Sequence, residues 1–311
     1  MAHKINILSE QNKDKPHVSQ LSLLVDMNHP SEVMEEVKII FLDMFSNGEF
    51  TPLFPIFESV VSLFSGNFPG FKGCDTPYHN LKHTTDVFLA VARLLHGAHI
   101  QGVALNELDV RVGLIAALMH DTGYIQKDSE SIGSGAVLTS VHVQRSIDFM
   151  QQYLSTMGSS AEFISRCKKM ILSTDLEYPF NRIGFSTHVD KTIAQMIAGS
   201  DLLAQTADRN YLEKLPLLFQ EFKEAGDKRH TTVLDLIKDA PQFNDFIQHR
   251  LANELEGIDR YMRSHFKNRW GNDQNMYQEA INRVMVYLAH ILESDAEKYK
   301  IHFRRALKTL G

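Results

Sequence analysis

Apolar side chains recur along this chain at intervals of three and four, and strict alternation is nearly absent. The first stripe, Val33, Val37, Ile40, Phe41 and Met44, has a period close to 3.6. It predicts a helix that Ser31 could cap and Asn47-Gly48 would stop. Pro52 and Pro55 mark a loop, a short helix is predicted near 57–64, and Gly66, Pro69, Gly70 and Gly73 mark a longer loop. No proline intervenes between Pro77 and Pro179, and helices are predicted there near 79–96, 107–120, 136–155 and 161–173. Val87, Ala90, Val91, Leu94 and Leu95 line one face of the first of these; Val110, Leu114, Ala117 and Leu118 line the second. Val141, Phe149 and Tyr153 are assigned to the third. Further helices are predicted near 189–207, 211–225, 231–238, 242–268 and 273–292, the last with Ile281, Val284, Met285, Leu288 and Ile291 in phase. The charge-dense tail from Glu293 to Lys308 reads as a surface helix. The fold class expected is all-α: one helical domain over 29–311 with a smaller N-terminal helical layer. The polar segment 1–28 is expected to be poorly ordered or draped on the surface.

Composition narrows the function classes. With 311 residues, 43% apolar and 23% charged, the chain can bury an ample core. A net charge of −6 leaves no basic excess for neutralising a phosphate backbone, so no nucleic-acid polymer is expected as a partner. A small phosphate ester remains open, because a bound metal supplies local positive charge. Cys74 and Cys167 are too few for a disulfide framework and suit a reducing compartment. No basic segment followed by an apolar run reads as a signal peptide, and the longest apolar run, Val112 to Met119, is too short to span a bilayer. The expectation is a cytoplasmic protein with no membrane partner.

The chemistry-bearing residues stand beside the apolar stripes. His79 and His83 are four apart in Tyr78-His79-Asn80-Leu81-Lys82-His83, a spacing that on a helix puts both on one face. Two imidazoles there can share a metal, or one can ligate while the other does acid–base work; two ordinary surface or core histidines fit the same spacing. His120-Asp121 ends the apolar run that starts at Leu114, and Gly123 after it suits a helix C-terminus. A buried helix that ends in an imidazole and a carboxylate is costly unless something pairs them, and a divalent metal is one such partner. Asp201 lies in another apolar helix, after Ile193, Ile197 and Ala198, with Gln205 and Asp208 continuing its face. A salt bridge or a solvated carboxylate is the alternative there.

Taken in order, Tyr-His-Asn-x-x-His, then His-Asp after an apolar helix, then Asp in a later apolar helix, the set resembles the HD superfamily of metal-dependent phosphohydrolases. The first motif is most similar to class I cyclic-nucleotide phosphodiesterases and their bacterial relatives, and the likeness covers about 75–225. The resemblance implies an HD/PDEase-like fold. It implies that His83, His120, Asp121 and Asp201 ligate a metal, that Asp121 bridges to a second one, and that His79 protonates the leaving oxygen. The cofactor expected is a divalent ion (zinc, iron, manganese or nickel at the first position, magnesium or manganese at a weaker second one) that activates water and polarises the phosphoryl group. The substrate expected is a small phosphoester, best a nucleotide and foremost a 3′,5′-cyclic nucleotide.

The chain departs from the class I pattern at two places. Tyr124 stands where His-Asp-x-x-His has its last histidine, and Thr139 stands where a glutamate is expected; only His142 survives of that stretch. His142 is the remaining candidate for the second metal or the phosphate, with a hydrogen-bonded helix histidine as its plain alternative. The departures weaken the second metal position and leave two rivals: an HD-type nucleotidase, and a metal-bound nucleotide-sensing or helical binding module with little turnover. Gln274, Gln278, Phe266, Trp270 and Tyr277 are sources for base recognition that the pattern cannot align, so the substrate-binding residues are left unassigned. Lys127, Arg145 and Arg209 could contact phosphate or stand as solvated charges. A homodimer is compatible with the helical C-terminal extension.

Overall fold

The computed structural model describes residues 20–295 and 298–303. Among them no strand forms, only one isolated bridge between Phe71 and Lys127, so the all-α expectation holds. The helices are α1 Pro30–Met44, α2 Leu53–Phe64, α3 Leu81–Ile100, α4 Glu107–Met119, α5 His142–Thr156 and α6 Ala161–Leu172. After them come α7 His188–Ala207, α8 Tyr211–Glu224, α9 Val233–Ala252, α10 Arg260–Trp270, α11 Met276–Asp295 and α12 Tyr299–His302. No described helix is long and apolar enough to cross a membrane.

α3 is the axis of the fold. Every residue from His83 to Ala98 is buried, because α1, α4, α7 and α10 surround it. A helix enclosed on all sides must satisfy its polar groups internally. Accordingly His96 meets Asp43 of α1 at 2.8 Å, and Asp86 takes the Lys82 ammonium. Gly97 allows the tightest crossing: a Cβ there would stand 1.9 Å from the Tyr261 carbonyl oxygen of α10. Arg166 of α6 ties α4 to α7 by donating to Asp109 and to Asp190. A second, smaller apolar cluster joins α8, α9 and α11 through Leu215, Leu218, Ile237 and Leu288, and it takes in Tyr78. That cluster presses α8 onto the loop that leads into α3.

Several predicted boundaries shift, for physical reasons. α3 begins at Leu81 rather than 79: Asn80 is the N-cap, its side chain accepting from the His83 amide at 3.2 Å and donating to the Pro77 carbonyl at 2.8 Å. His79 therefore lies before the helix, and the one-face argument for the His79/His83 pair does not apply. The helix predicted over 136–155 is split into a 3₁₀ turn, Gly135–Leu138, and α5; Val141 lies outside α5 and is exposed. The break predicted near 240 is absent, since α9 continues through Pro241. The long helix predicted to 268 is instead interrupted after Ala252, where Glu256 and Gly257 both take positive φ. α1 starts with Pro30 at its first turn and has His29, not Ser31, at the N-cap. Of the N-terminal segment 1–28, the residues from 20 onward are described: a 3₁₀ turn at Leu21–Leu23 buries Leu21 against the core. Residues 1–19, and the tail beyond 303, lie outside the described residues.

Candidate metal centre

Three helices bring the four predicted ligands together. His83 is in the first turn of α3, His120 caps the C-terminus of α4, Asp121 follows it, and Asp201 lies in α7. His83 Nε2 is 3.1 Å from Asp201 Oδ1 and 3.4 Å from Asp121 Oδ2. His120 Nε2 is 3.2 Å from Asp121 Oδ2 and 3.7 Å from Asp201 Oδ1. Ligand atoms about 2.1 Å from one ion lie roughly 3.0 to 3.4 Å apart in octahedral or tetrahedral arrangement. Three of the four distances fit that spacing; the fourth, His120 to Asp201, is longer, and Asp201 lies outside the tight grouping that His83, His120 and Asp121 form.

Two further observations bear on a cation there. His120 Nδ1 donates to the Ala117 carbonyl at 2.8 Å, which directs Nε2, the buried nitrogen, at the carboxylates. Yet His120 Nε2 and Asp121 Oδ2 are both buried without a hydrogen-bond partner, although they stand 3.2 Å apart. Atoms at that distance but misaligned with one another suit coordination of a common third atom. Electrostatics point the same way. Burial alone would raise both carboxyls, but His120 and His83 outweigh it and hold Asp121 and Asp201 well below the usual carboxylate range. Burial would depress His120, and the two carboxylates reverse that and raise it well above the ordinary imidazole value. The buried Asp121 carboxylate and the partly exposed Asp201 carboxylate thus favour positive charge between them.

His79 stands at the rim, its ring centroid 5.8 Å from that of His83. Its Nδ1 is 2.6 Å from Glu221 Oε2, and Glu221 Oε1 accepts from the Tyr78 and His79 amides at 2.5 and 3.3 Å. Glu221 belongs to α8, is fully buried, and has no other described purpose than this loop. Burial lowers the His79 pKa, the Glu221 hydrogen bond and charge raise it, and the net shift is upward. Glu221 is absent from the sequence-derived set. Its signal was a glutamate three residues after Leu218, in phase with the apolar stripe of its helix.

His142 reaches the same place from the start of α5. Its Nε2 is 3.7 Å from Asp121 Oδ1, and its Nδ1 is 2.6 Å from the Thr139 carbonyl. The Tyr124 ring is stacked between His79, at 4.7 Å and 13°, and His142, at 4.4 Å and 18°. Arg145 is neither a phosphate ligand nor a solvated charge: it donates to the Gly123 and Ile125 carbonyls and to Glu130, clamping the 123–130 loop. Phe266 and Tyr277 face the buried Arg93 in the core, whose guanidinium donates to the Tyr277 hydroxyl at 3.0 Å. They are core residues rather than a base clamp. Gln278 donates to Asn282 on its own helix, and Gln274 is exposed.

A family model described as Npun_R2479-like matches residues 128–256. That span takes in His142, Asp201 and Glu221 and leaves out His79, His83, His120 and Asp121. No curated protein matches the chain.

Proposed function

We propose that this chain is a metal-dependent phosphohydrolase acting on a small phosphoester, best a nucleotide, and foremost a 3′,5′-cyclic nucleotide. The observation that carries the reading is the convergence of His83, His120, Asp121 and Asp201, with the Glu221-held His79 at its rim. His83, His120, Asp121 and Asp201 would hold the ion. A divalent cation in that position activates water and polarises a phosphoryl oxygen. The residues supply the rest. Asp121 and Asp201 keep the site anionic at neutral pH, which favours cation over proton occupancy. His79 holds a proton more firmly than a free imidazole and has Nε2 available after Nδ1 is taken by Glu221. It would give that proton to an alkoxide leaving oxygen, whose high basicity makes the help worth about 10²- to 10⁴-fold. Tyr124, on the other side of the His79 ring, fixes its plane.

Screening the metal-loaded protein against cyclic nucleotides, nucleoside monophosphates and bis-4-nitrophenyl phosphate tests the reading. Turnover of a cyclic nucleotide, lost in Asp201→Ala, supports it. Turnover of monophosphates alone moves the assignment to an HD-type nucleotidase. The specific feature favouring a binding module is Tyr124 with Thr139 in place of polar ligands; tight nucleotide binding with no hydrolysis under any divalent metal would establish that alternative.

A further inference from the structure

The two oxygens of Asp121 face different surroundings. Oδ2 faces the imidazole nitrogens of His83 and His120. Oδ1 faces only His142 Nε2 among the ion pairs, at 3.7 Å. A carboxylate that bridges two ions needs a second set of donors beyond its outer oxygen, since paired ions stand about 3.5 to 4 Å apart. What stands there instead is an aromatic stack. Tyr124, buried, lies between the His79 and His142 rings. Thr139 Oγ1 donates to the Ala136 carbonyl at 2.7 Å. The two positions at which the sequence departs from the class I pattern thus both meet His142: Tyr124 stacks on its ring and the Thr139 carbonyl is 2.6 Å from its Nδ1.

The backbone holds this stack in place. A Cβ at Gly123 would stand 2.0 Å from the His142 carbonyl oxygen, and one at Gly135 would stand 2.4 Å from the Tyr124 carbonyl oxygen. The turn carrying Tyr124 is therefore pressed against α5 on one side and the 3₁₀ turn on the other, with no slack for the ring to withdraw. Among the described residues, the grouping of donor side chains tight enough for an ion is His83, His120 and Asp121; Asp201 and His142 both lie outside it, Asp201 with Oδ1 3.1 Å from His83 Nε2 and His142 with Nε2 3.7 Å from Asp121 Oδ1. One imidazole and one carboxylate oxygen are too few protein donors for a built second position of the His-and-carboxylate kind.

We propose that the centre holds a single divalent ion, the Tyr124–Thr139 pair and the stacked His142 filling the place a second ion would take. The proposal rests on the metal-dependent reading above. The test is metal content by plasma mass spectrometry after chelator treatment, reloading with manganese and desalting. It compares the wild-type chain, Asp201→Asn and the double variant Tyr124→His/Thr139→Glu, each checked by circular dichroism. One ion per chain in the wild type, none in Asp201→Asn and two in the double variant is the expected result. Two ions in the wild type would overturn the proposal and leave the phosphohydrolase reading standing. No ion in the wild type would remove both. One ion in a folded double variant would overturn the role given to Tyr124 and Thr139. Should that variant not fold, paramagnetic resonance of the manganese-loaded wild type decides alone: the uncoupled signal of isolated manganese is expected, and an exchange-coupled pair would overturn the single-ion centre.

Discussion

Replacing Glu221 with glutamine isolates the part of the site that chain order hides. The carboxylate is fully buried and lies 2.6 Å from His79 Nδ1. With charge centres about 4 Å apart and an effective dielectric near 20, the attraction to an imidazolium is about 4 kcal/mol before desolvation takes back part of it. Glutamine keeps an oxygen to accept from the Tyr78 amide, so the loop keeps its anchor and the metal ligands are untouched. The charge that raises the His79 pKa is removed. The sign follows. The protonated ring is the active form, so activity falls as pH rises through its pKa. Lowering that pKa moves the alkaline limb of the kcat/KM profile to lower pH. Loss of a held general acid predicts a fall in kcat/KM of about 10²-fold or more on an alkyl phosphoester. Bis-4-nitrophenyl phosphate should be affected far less, because nitrophenolate leaves without a proton. Bound metal should match the wild type. An unshifted alkaline limb, or equal losses on the two ester types, would refute the assignment of His79 as acid and Glu221 as its positioning residue.

Four other outcomes follow from the same geometry. Burial would raise Asp208, but Lys82 and Lys214 outweigh it and bring its carboxyl down to about 2 from 3.8. Because that pKa is depressed, its contribution of about 2 kcal/mol is present above pH 3.8 and is lost as pH falls toward 2; acid unfolding of Asp208→Asn should lack this component. Gly123→Ala puts a Cβ 2.0 Å from the His142 carbonyl oxygen and should cost about 1–3 kcal/mol in denaturant unfolding, with the stack of Tyr124 on His142 disturbed. Leu94→Ala, fully buried on the enclosed helix α3, should cost about 2–5 kcal/mol in the same assay without altering the number of bound ions. Removing metal with chelator should lower the wild-type melting temperature and leave that of Asp201→Ala unchanged, since binding to the native state alone stabilises it.

What was legible in the sequence was what periodicity and short-range spacing encode. The apolar stripes of α3, α4 and α7 mark helices that carry His83 in the first turn, His120-Asp121 at the C-terminal end and Asp201 in the interior, and the structure brings those four together. His79 was legible as a residue but not in its setting, because Asn80 takes the N-cap and leaves the histidine outside the helix. Glu221 was not legible as a partner: 142 positions separate it from His79, and only the packing of α8 onto the loop before α3 closes that gap. Arg145 reads in sequence as a surface cation, yet its side-chain hydrogen bonds go to a loop 15 to 22 residues earlier. Proline is a poor stop signal where the surrounding helix is held by tertiary packing, as Pro241 within α9 illustrates. The interruption after Ala252 has the converse cause: Gly257 gives only a weak local signal, and the positive φ at Glu256 is imposed by the turn.

The most direct test of the central claim is calorimetric titration of chelator-treated protein with zinc and with manganese, run beside His120→Ala and Asp201→Asn variants that melt cooperatively. Saturable binding to the wild type that is abolished or weakened at least about 10-fold in both variants is the predicted result. Absence of binding to the wild type, or binding that both variants retain in full, would contradict a metal centre built from His83, His120, Asp121 and Asp201.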